Sequence, residues 1–372
     1  MIVCGLLMCL TIPRQYHGSL GWEWQSQSLG VFDADAASKL DMQRIISFAA
    51  PPPAPPIPWM EVANAGLPSH DWQPPLQGIP PLLHQSWRSR RVPSNLAAHM
   101  QTWRRHMPSW RFRLHTDEDN EVLVKEQFPW LLKAWYVMTS IQRADIARLL
   151  YMHSFGGVYA DLDVELLQPL EPLLNASRDQ NASALLGQEP MAHTLLLERK
   201  PRQICNAVLA SVAGHPFWLW VVQLATNALL SSNDNDPVGT TGPRMLERAV
   251  RVWQAKFGQT GMRLQVSTPD TFYPLWDSGQ ENTFRERCES PYHDAAPVWA
   301  NESDIMAQGL DHAVIETCAR LQREEFRPTI PTDGSSFAAH HWAHTWMDDM
   351  FGGVSEQSEV LIEDVRWTED GH

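Results

Sequence analysis

The run from Arg143 to Asp163, RADIARLLYMHSFGGVYADLD, constrains this chain more than any other stretch. Ser140 to Phe155 carries Ile141, Leu149 and Met152 at helical spacing, with Ser140 as a plausible N-cap. Gly156 and Gly157 then stop the helix, because glycine tolerates the positive φ of a helix C-terminus. Val158, Tyr159 and Ala160 make a short apolar strand that breaks at once into Asp161 and Asp163. Helix, glycine turn, buried strand and acidic exit together form one pass of an α/β layer.

The flanking sequence repeats that alternation. IPPLLHQSW, from Ile79, is an apolar strand ending in polar groups; Pro93 to Met107 has helical spacing; WRFRLHTDED is a second strand running into an acidic turn. Glu118 to Phe128 and Trp130 to Met138 also read as helical. The alternation continues to about residue 345, so the predicted fold is α/β, a mainly parallel sheet flanked by helices. Residues 1–77 are expected to be an apolar start and a Pro-rich stem, with PPPAPPIP at 51–58 as a stiff extended spacer. Residues 78–350 are expected to form the main domain, and 351–372 a tail.

Composition excludes some functions. Lys+Arg 29 against Asp+Glu 43 leaves a net charge of −14 and no basic patch, which argues against nucleic acid as a partner. The five cysteines show no C-x-x-C spacing and spell no thiolate zinc site. Asn175, Asn181 and Asn301 begin Asn-x-Ser sequons, glycan acceptors if the chain enters the secretory pathway. MIVCGLLMCLTI at the start covers about 18 Å as a helix, against ~30 Å of hydrocarbon. It reads either as a signal or membrane-associating segment or as a misplaced start.

Asp161 and Asp163 stand two apart at a strand end, where period-2 geometry puts both on one side. Paired carboxylates suit a hard cation such as Mn²⁺ or Mg²⁺, which keeps water and is completed by substrate phosphates; alternatively they simply face water. Asp145 and Arg148 are i, i+3 on one helix, either as a surface ion pair of a few tenths of a kcal/mol or as a sugar and diphosphate contact. Trp87 is either a core residue or a platform for a nucleobase. Asp117 either contacts ribose or caps the next helix. Arg143 is either structural or a substrate contact.

These residues resemble the D-x-D region of glycosyltransferase family 32. The family pattern of Arg-x-Asp, an Arg three residues later and Gly-Gly-x-Tyr-x-Asp-x-Asp is met at Arg143, Asp145, Arg148, Gly156, Gly157, Tyr159, Asp161 and Asp163. The resemblance extends over roughly residues 79 to 346 and takes in LLGQEP, CNAVLASVAGHPFW, TGPRML and HHWAHTW. It implies a GT-A type fold and a retaining, metal-dependent enzyme. The donor it implies is a nucleotide sugar, GDP-mannose or a UDP-sugar, and the acceptor a glycan or glycolipid hydroxyl, with inositol phosphorylceramide or another sphingolipid among the candidates. Asp145, Arg148 and Asp163 are the expected catalytic residues. Trp87, Asp117, Asp145, Arg148, Tyr159, Asp161, Asn206, Thr345 and Trp346 are expected to bind the nucleotide sugar. Asp161, Asp163 and His340 are expected to hold Mn²⁺ or Mg²⁺. His341 competes with His340 for the ion, and Glu189 is a weaker candidate for sugar or acceptor contact.

Two other classes compete. A D-x-D phosphoryl-transfer hydrolase would use Asp161 as nucleophile, but where such enzymes have Thr or Val this chain has Glu165. An inactive sugar-nucleotide-binding relative is opposed by the intact acids and histidine. The resemblance, the sequons and the apolar start together imply the secretory pathway, in the Golgi lumen or at its membrane.

Overall fold

The computed structural model describes residues 74–75, 78–231, 236–289, 304–344 and 358–362, with backbone alone at 231, 256 and 304–311. The expected stem up to residue 73 lies outside the described residues, as do Thr345, Trp346 and Asn301.

A six-stranded sheet in the order β3-β1-β4-β7-β6-β8 forms the centre. Its strands are β1 (Leu82–Ser86), β3 (Arg111–His115), β4 (Gly157–Ala160), β6 (Ala184–Gln188), β7 (Ile204–Ser211) and β8 (Leu264–Ser267). Every pairing is parallel except those of β7, which runs antiparallel to both β4 and β6. The fold is therefore mixed α/β with a mainly parallel sheet, as expected, and one reversed strand. Helices α1 (Ser94–His106), α2 (Asp117–Gln127), α3 (Ser140–Ser154), α4 (Glu171–Asp179), α5 (Pro216–Ser231), α6 (Pro243–Phe257), α7 (Glu281–Glu289) and α8 (Asp304–Arg323) flank it.

Apolar packing explains the layers. On one face α3, α5 and α6 bury Leu149, Met152, Phe217, Trp218, Trp220 and Trp253. On the other, Trp103, Met107 and Trp110 pack with Phe272 and Tyr273. α5 begins PFWLWVV, and these first turns are apolar around their circumference and buried from Phe217 to Val222.

Several local expectations are corrected. α3 is capped by Thr139, not Ser140: the Thr139 hydroxyl accepts from the Gln142 N–H while Gln142 reaches back, a capping box that Ser140 cannot form. Ile141 is only half-buried, at the cleft, rather than in the core. The segment 130–138 forms a 3₁₀ turn, Pro129–Leu131, and one helical turn, Leu132–Trp135, instead of a full helix. Cys288 and Cys318, which share no motif, form a disulfide joining α7 to α8. From the stretch expected as a tail, β10 (Glu359–Leu361) pairs antiparallel with β2 (Arg91–Pro93).

The glycine pair does more than end a helix. The Gly156 N–H donates to the Met152 carbonyl at 3.2 Å with φ +62°, an αL termination. A Cβ on Gly157, at φ +91°, would sit 2.4 Å from the Leu82 carbonyl oxygen. Only glycine lets β4 lie this close to β1.

A candidate metal and diphosphate site

From β1 the chain crosses to β3 on one side and later returns through α3 to β4 on the other. The carboxyl ends of β1 and β4 thus border the point where strand order reverses, the place where open α/β sheets form a crevice. A cleft of about 230 Å³ lies there, lined in part by Trp87, Asp145, Arg148, Asp161, Asp163 and His340.

Asp161 and Asp163 do share a side, but strand alternation is not the cause. β4 ends at Ala160, and the two acids lie in a tight turn closed by the Val164 N–H donating to the Asp161 carbonyl at 3.1 Å. After the turn, β5 (Val164–Leu166) pairs antiparallel with β9 (Ala338–His340), and the register sets Val164 against His340. His340 thereby reaches the acids from far along the chain, with Nε2 3.1 Å from Asp163 Oδ2. Its neighbour His341 turns to the other side of the ribbon, with Nε2 3.1 Å from Glu165 Oε2.

Asp145 and Arg148 are not a surface pair. They are 4% and 5% exposed, so the weak-surface-pair alternative is removed. Arg148 Nη2 lies 3.6 Å from Asp145 Oδ1, while Nη1 is 3.2 Å from each Asp161 oxygen and donates to the Asn206 carbonyl at 2.9 Å. Arg148 therefore joins the helix to the acidic turn, stacked 4.9 Å from the Tyr159 ring centre. The Tyr159 hydroxyl donates to Asp161 Oδ1 at 2.5 Å. Asp145 is held by Asn206 Nδ2 at 2.8 Å and the Thr241 hydroxyl at 2.9 Å.

Burial pushes the Asp145 carboxyl up to about 6, against the pull of Arg148. It raises Asp161 as well, with Arg148 opposing. Asp163 is held well below the carboxylate range: burial works against its charge, but His340 outweighs it. His340 is raised in turn, its burial overcome by Asp163.

Asp161, Asp163 and His340 each offer one ligand atom, and these lie within 4.8 Å of one another. Two donors on adjacent positions of an octahedral ion at roughly 2.1 Å stand about 3 Å apart, close to the 3.1 Å between His340 and Asp163. Two carboxylates and an imidazole suit Mn²⁺ chemically, while Mg²⁺ would be served by the two carboxylates and water. These residues fit a divalent cation.

Residues 93–181 match the family described as the glycosyltransferase sugar-binding region containing a DXD motif. The chain carries that region. It is 28% identical over 159 residues, 42% of this chain and 38% of the relative, to a mannosyl phosphorylinositol ceramide synthase of Saccharomyces cerevisiae. To the inositol phosphoceramide mannosyltransferase 1 of Schizosaccharomyces pombe it is 32% identical over 146 residues, 38% of this chain and 41% of that one. The chain spans about two fifths of the length of these relatives. Among solved structures, the PaToxG glycosyltransferase aligns over 60% of this chain and 79% of that one, at 14% identity and TM-score 0.33. At that score the fold assignment rests on the sheet topology above.

The other expected site residues divide. Trp87 is partly buried, lines the cleft and carries Arg88 over its ring at 5.4 Å. Asp117 lines the cleft but does not cap α2: Thr116 does, in a capping box with Asp119. Asn206 orients Asp145 through its side chain. Arg143 donates to the Trp135 carbonyl at 2.9 Å, a structural use.

Three contributors escaped sequence reasoning. Trp342, at φ +53°, packs against His340 with centroids 4.1 Å apart and planes tilted by 53°, and its indole N–H donates to the Leu275 carbonyl. His344, at φ +51°, lies 3.0 Å from Asp277 Oδ2. Between them the Ala343 N–H donates to Asp163 Oδ2 at 2.8 Å. Left-handed backbone at two non-glycine residues is strain kept where surroundings dictate it, often at functional sites. HHWAHTW is conspicuous in the sequence, but which of its rings meets which acid depends on that backbone.

Proposed function

We propose that this chain transfers a hexose, with retention, from a nucleotide sugar to a glycan or glycolipid hydroxyl. The finer reading is mannose from GDP-mannose onto inositol phosphorylceramide or a similar sphingolipid. One observation carries it: the acidic turn, the buried Arg148 of α3 and His340 of β9 converge in one cleft at the sheet's switch point. The names of the fungal relatives support the mannose and sphingolipid assignment.

Asp161, Asp163 and His340 would hold Mn²⁺ or Mg²⁺. When bound, the ion supplies Lewis-acid stabilisation to a departing diphosphate. Arg148 adds a fixed positive charge beside the same phosphates. Tyr159 and Arg148 fix both oxygens of Asp161, so its orientation is set before any ligand arrives. Asp145, oriented by Asn206 and Thr241, accepts sugar hydroxyls through its remaining lone pairs. Trp87 stacks on the base and Asp117 meets the ribose. Buried Glu189 lines the cleft, with Oε2 3.5 Å from His193 Nδ1, and serves as a further acceptor for a sugar hydroxyl. Thr345 and Trp346 keep their proposed diphosphate contact outside the described residues.

The secretory lumen is the proposed location. A Cys288–Cys318 disulfide belongs in an oxidising compartment, and Asn175 and Asn181 are exposed. No helix among the described residues is long and apolar enough to cross a membrane.

The test is a transfer screen of the full chain, stripped with EDTA and resupplied with Mn²⁺, across GDP- and UDP-sugars with inositol phosphorylceramide or oligosaccharide acceptors. Product bearing an α-linked mannose supports the reading, and NMR of the anomeric proton decides retention. Absence of turnover with every donor, or full turnover in EDTA, overturns it.

A further inference from the structure

The opposite side of the β5–β9 ribbon holds a second constellation. Alternation along β5 buries Val164 and Leu166 and turns Glu165 outward. His341 brings Nε2 to 3.1 Å from Glu165 Oε2. His99, in the middle of α1, stacks on His341 with ring centroids 4.4 Å apart and planes 22° from parallel. One ligand atom from each of the three lies within 4.8 Å of the others, a bound the DXD cluster also meets. Three different segments supply them, so no single helical or strand periodicity accounts for the meeting.

We propose that His99, Glu165 and His341 form a second divalent-metal site, for a borderline transition ion of the zinc class. Two imidazole nitrogens and one carboxylate oxygen are a donor set for Zn²⁺, whereas Mg²⁺ asks for oxygen and water. Donors at about 2.0–2.1 Å from a tetrahedral ion stand roughly 3.3 Å apart. The His341–Glu165 separation already meets this, and His99, with a ligand atom within 4.8 Å of both, closes the set by turning its ring out of the stack. Glu165 and His341 are 31% and 33% exposed, so the fourth position opens to water and the ion is exchangeable.

The ion ties α1 to the ribbon whose other side carries His340. The His341 N–H donates to the Asp163 carbonyl at 2.9 Å, which links the two clusters through one peptide unit. Occupancy therefore stiffens the segment that presents the DXD residues. The site stands independently of the transfer reaction proposed above.

Co²⁺ serves as the probe because tetrahedral nitrogen-containing sites give visible d–d absorption, unlike octahedral oxygen-rich ones. Full-length protein stripped with EDTA is titrated with Co²⁺, then with Zn²⁺ in competition. The expected result is one equivalent of intense visible absorption that persists in Asp161→Asn/Asp163→Asn and is displaced by Zn²⁺. In His99→Gln and in His341→Gln the absorption disappears while the circular dichroism of the fold is kept. Glu165→Gln, at the exposed rim, provides a second variant if a histidine change impairs folding, and at least a tenfold loss of Zn²⁺ affinity is expected. No absorption in wild type, absorption lost with the two aspartates, or unchanged affinity in Glu165→Gln overturns the proposal.

Discussion

Replacing Arg148 by alanine removes a cation that serves two carboxylates at once. Its side chain is 6% exposed, with Nη1 3.2 Å from both Asp161 oxygens and Nη2 3.6 Å from Asp145. Removing one partner of a buried pair costs about 3–5 kcal/mol, because the other charge is left uncompensated. Here two are left. Burial already raises Asp145 to about 6 and raises Asp161, and loss of Arg148 moves both higher. A carboxyl whose folded pKa exceeds its unfolded value of about 3.9 keeps its stability below that value and loses it as pH rises through the folded pKa. The Arg148→Ala deficit should therefore be about 3–5 kcal/mol at pH 8 and smaller by about 1–2 kcal/mol at pH 5, since each pKa unit is worth roughly 1.4 kcal/mol. Urea unfolding in EDTA at both pH values, followed by tryptophan fluorescence, measures it without interference from metal. A deficit under about 1 kcal/mol at pH 8, or one equal at both pH values, would refute the assignment of Arg148 as the counter-charge.

Further expectations concern the site and its frame. Asp161→Asn and Asp163→Asn should each lower transfer by roughly 10²-fold or more, the scale of losing one preorganised electrostatic group, with the melting temperature within about 5 °C of the parent; retained turnover in either variant would remove that acid from the site. Gly157→Ala should cost at least about 1–3 kcal/mol, since it combines strained backbone with contact against the Leu82 carbonyl, and a thermal melt at unchanged temperature would contradict the close β1–β4 approach. Reduction of Cys288–Cys318, which closes a loop of sequence separation 30, should lower stability by about 3–4 kcal/mol on the chain-entropy account; identical urea midpoints with and without dithiothreitol would show that the bridge contributes nothing.

Much of the frame was legible in consecutive residues. The order of β1, α1, β3, α3 and β4 follows from apolar period, and the Gly156–Gly157 stop follows from the φ each position needs. Caps were less legible. Ser140 and Asp117 are acceptable capping types, yet Thr139 and Thr116 win because each has a partner three residues on that reaches back. The pairing of Asp161 with Asp163 was anticipated through strand alternation, whereas a tight turn produces it.

By itself the sequence determined which residue types stand at the acidic exit of β4, where α3 stops, and that a histidine-rich segment lies near the end of the described domain. Only the tertiary structure decided that Arg148 reaches past its own i, i+3 partner to Asp161, that Asn206 and Thr241 hold Asp145, and that His340 rather than His341 faces the acids. Local preferences depend on side chains a few positions apart, and these the sequence displays directly. Contacts between distant segments depend on strand register and helix packing, and a shift of one residue in the β5–β9 pairing would exchange His340 for His341.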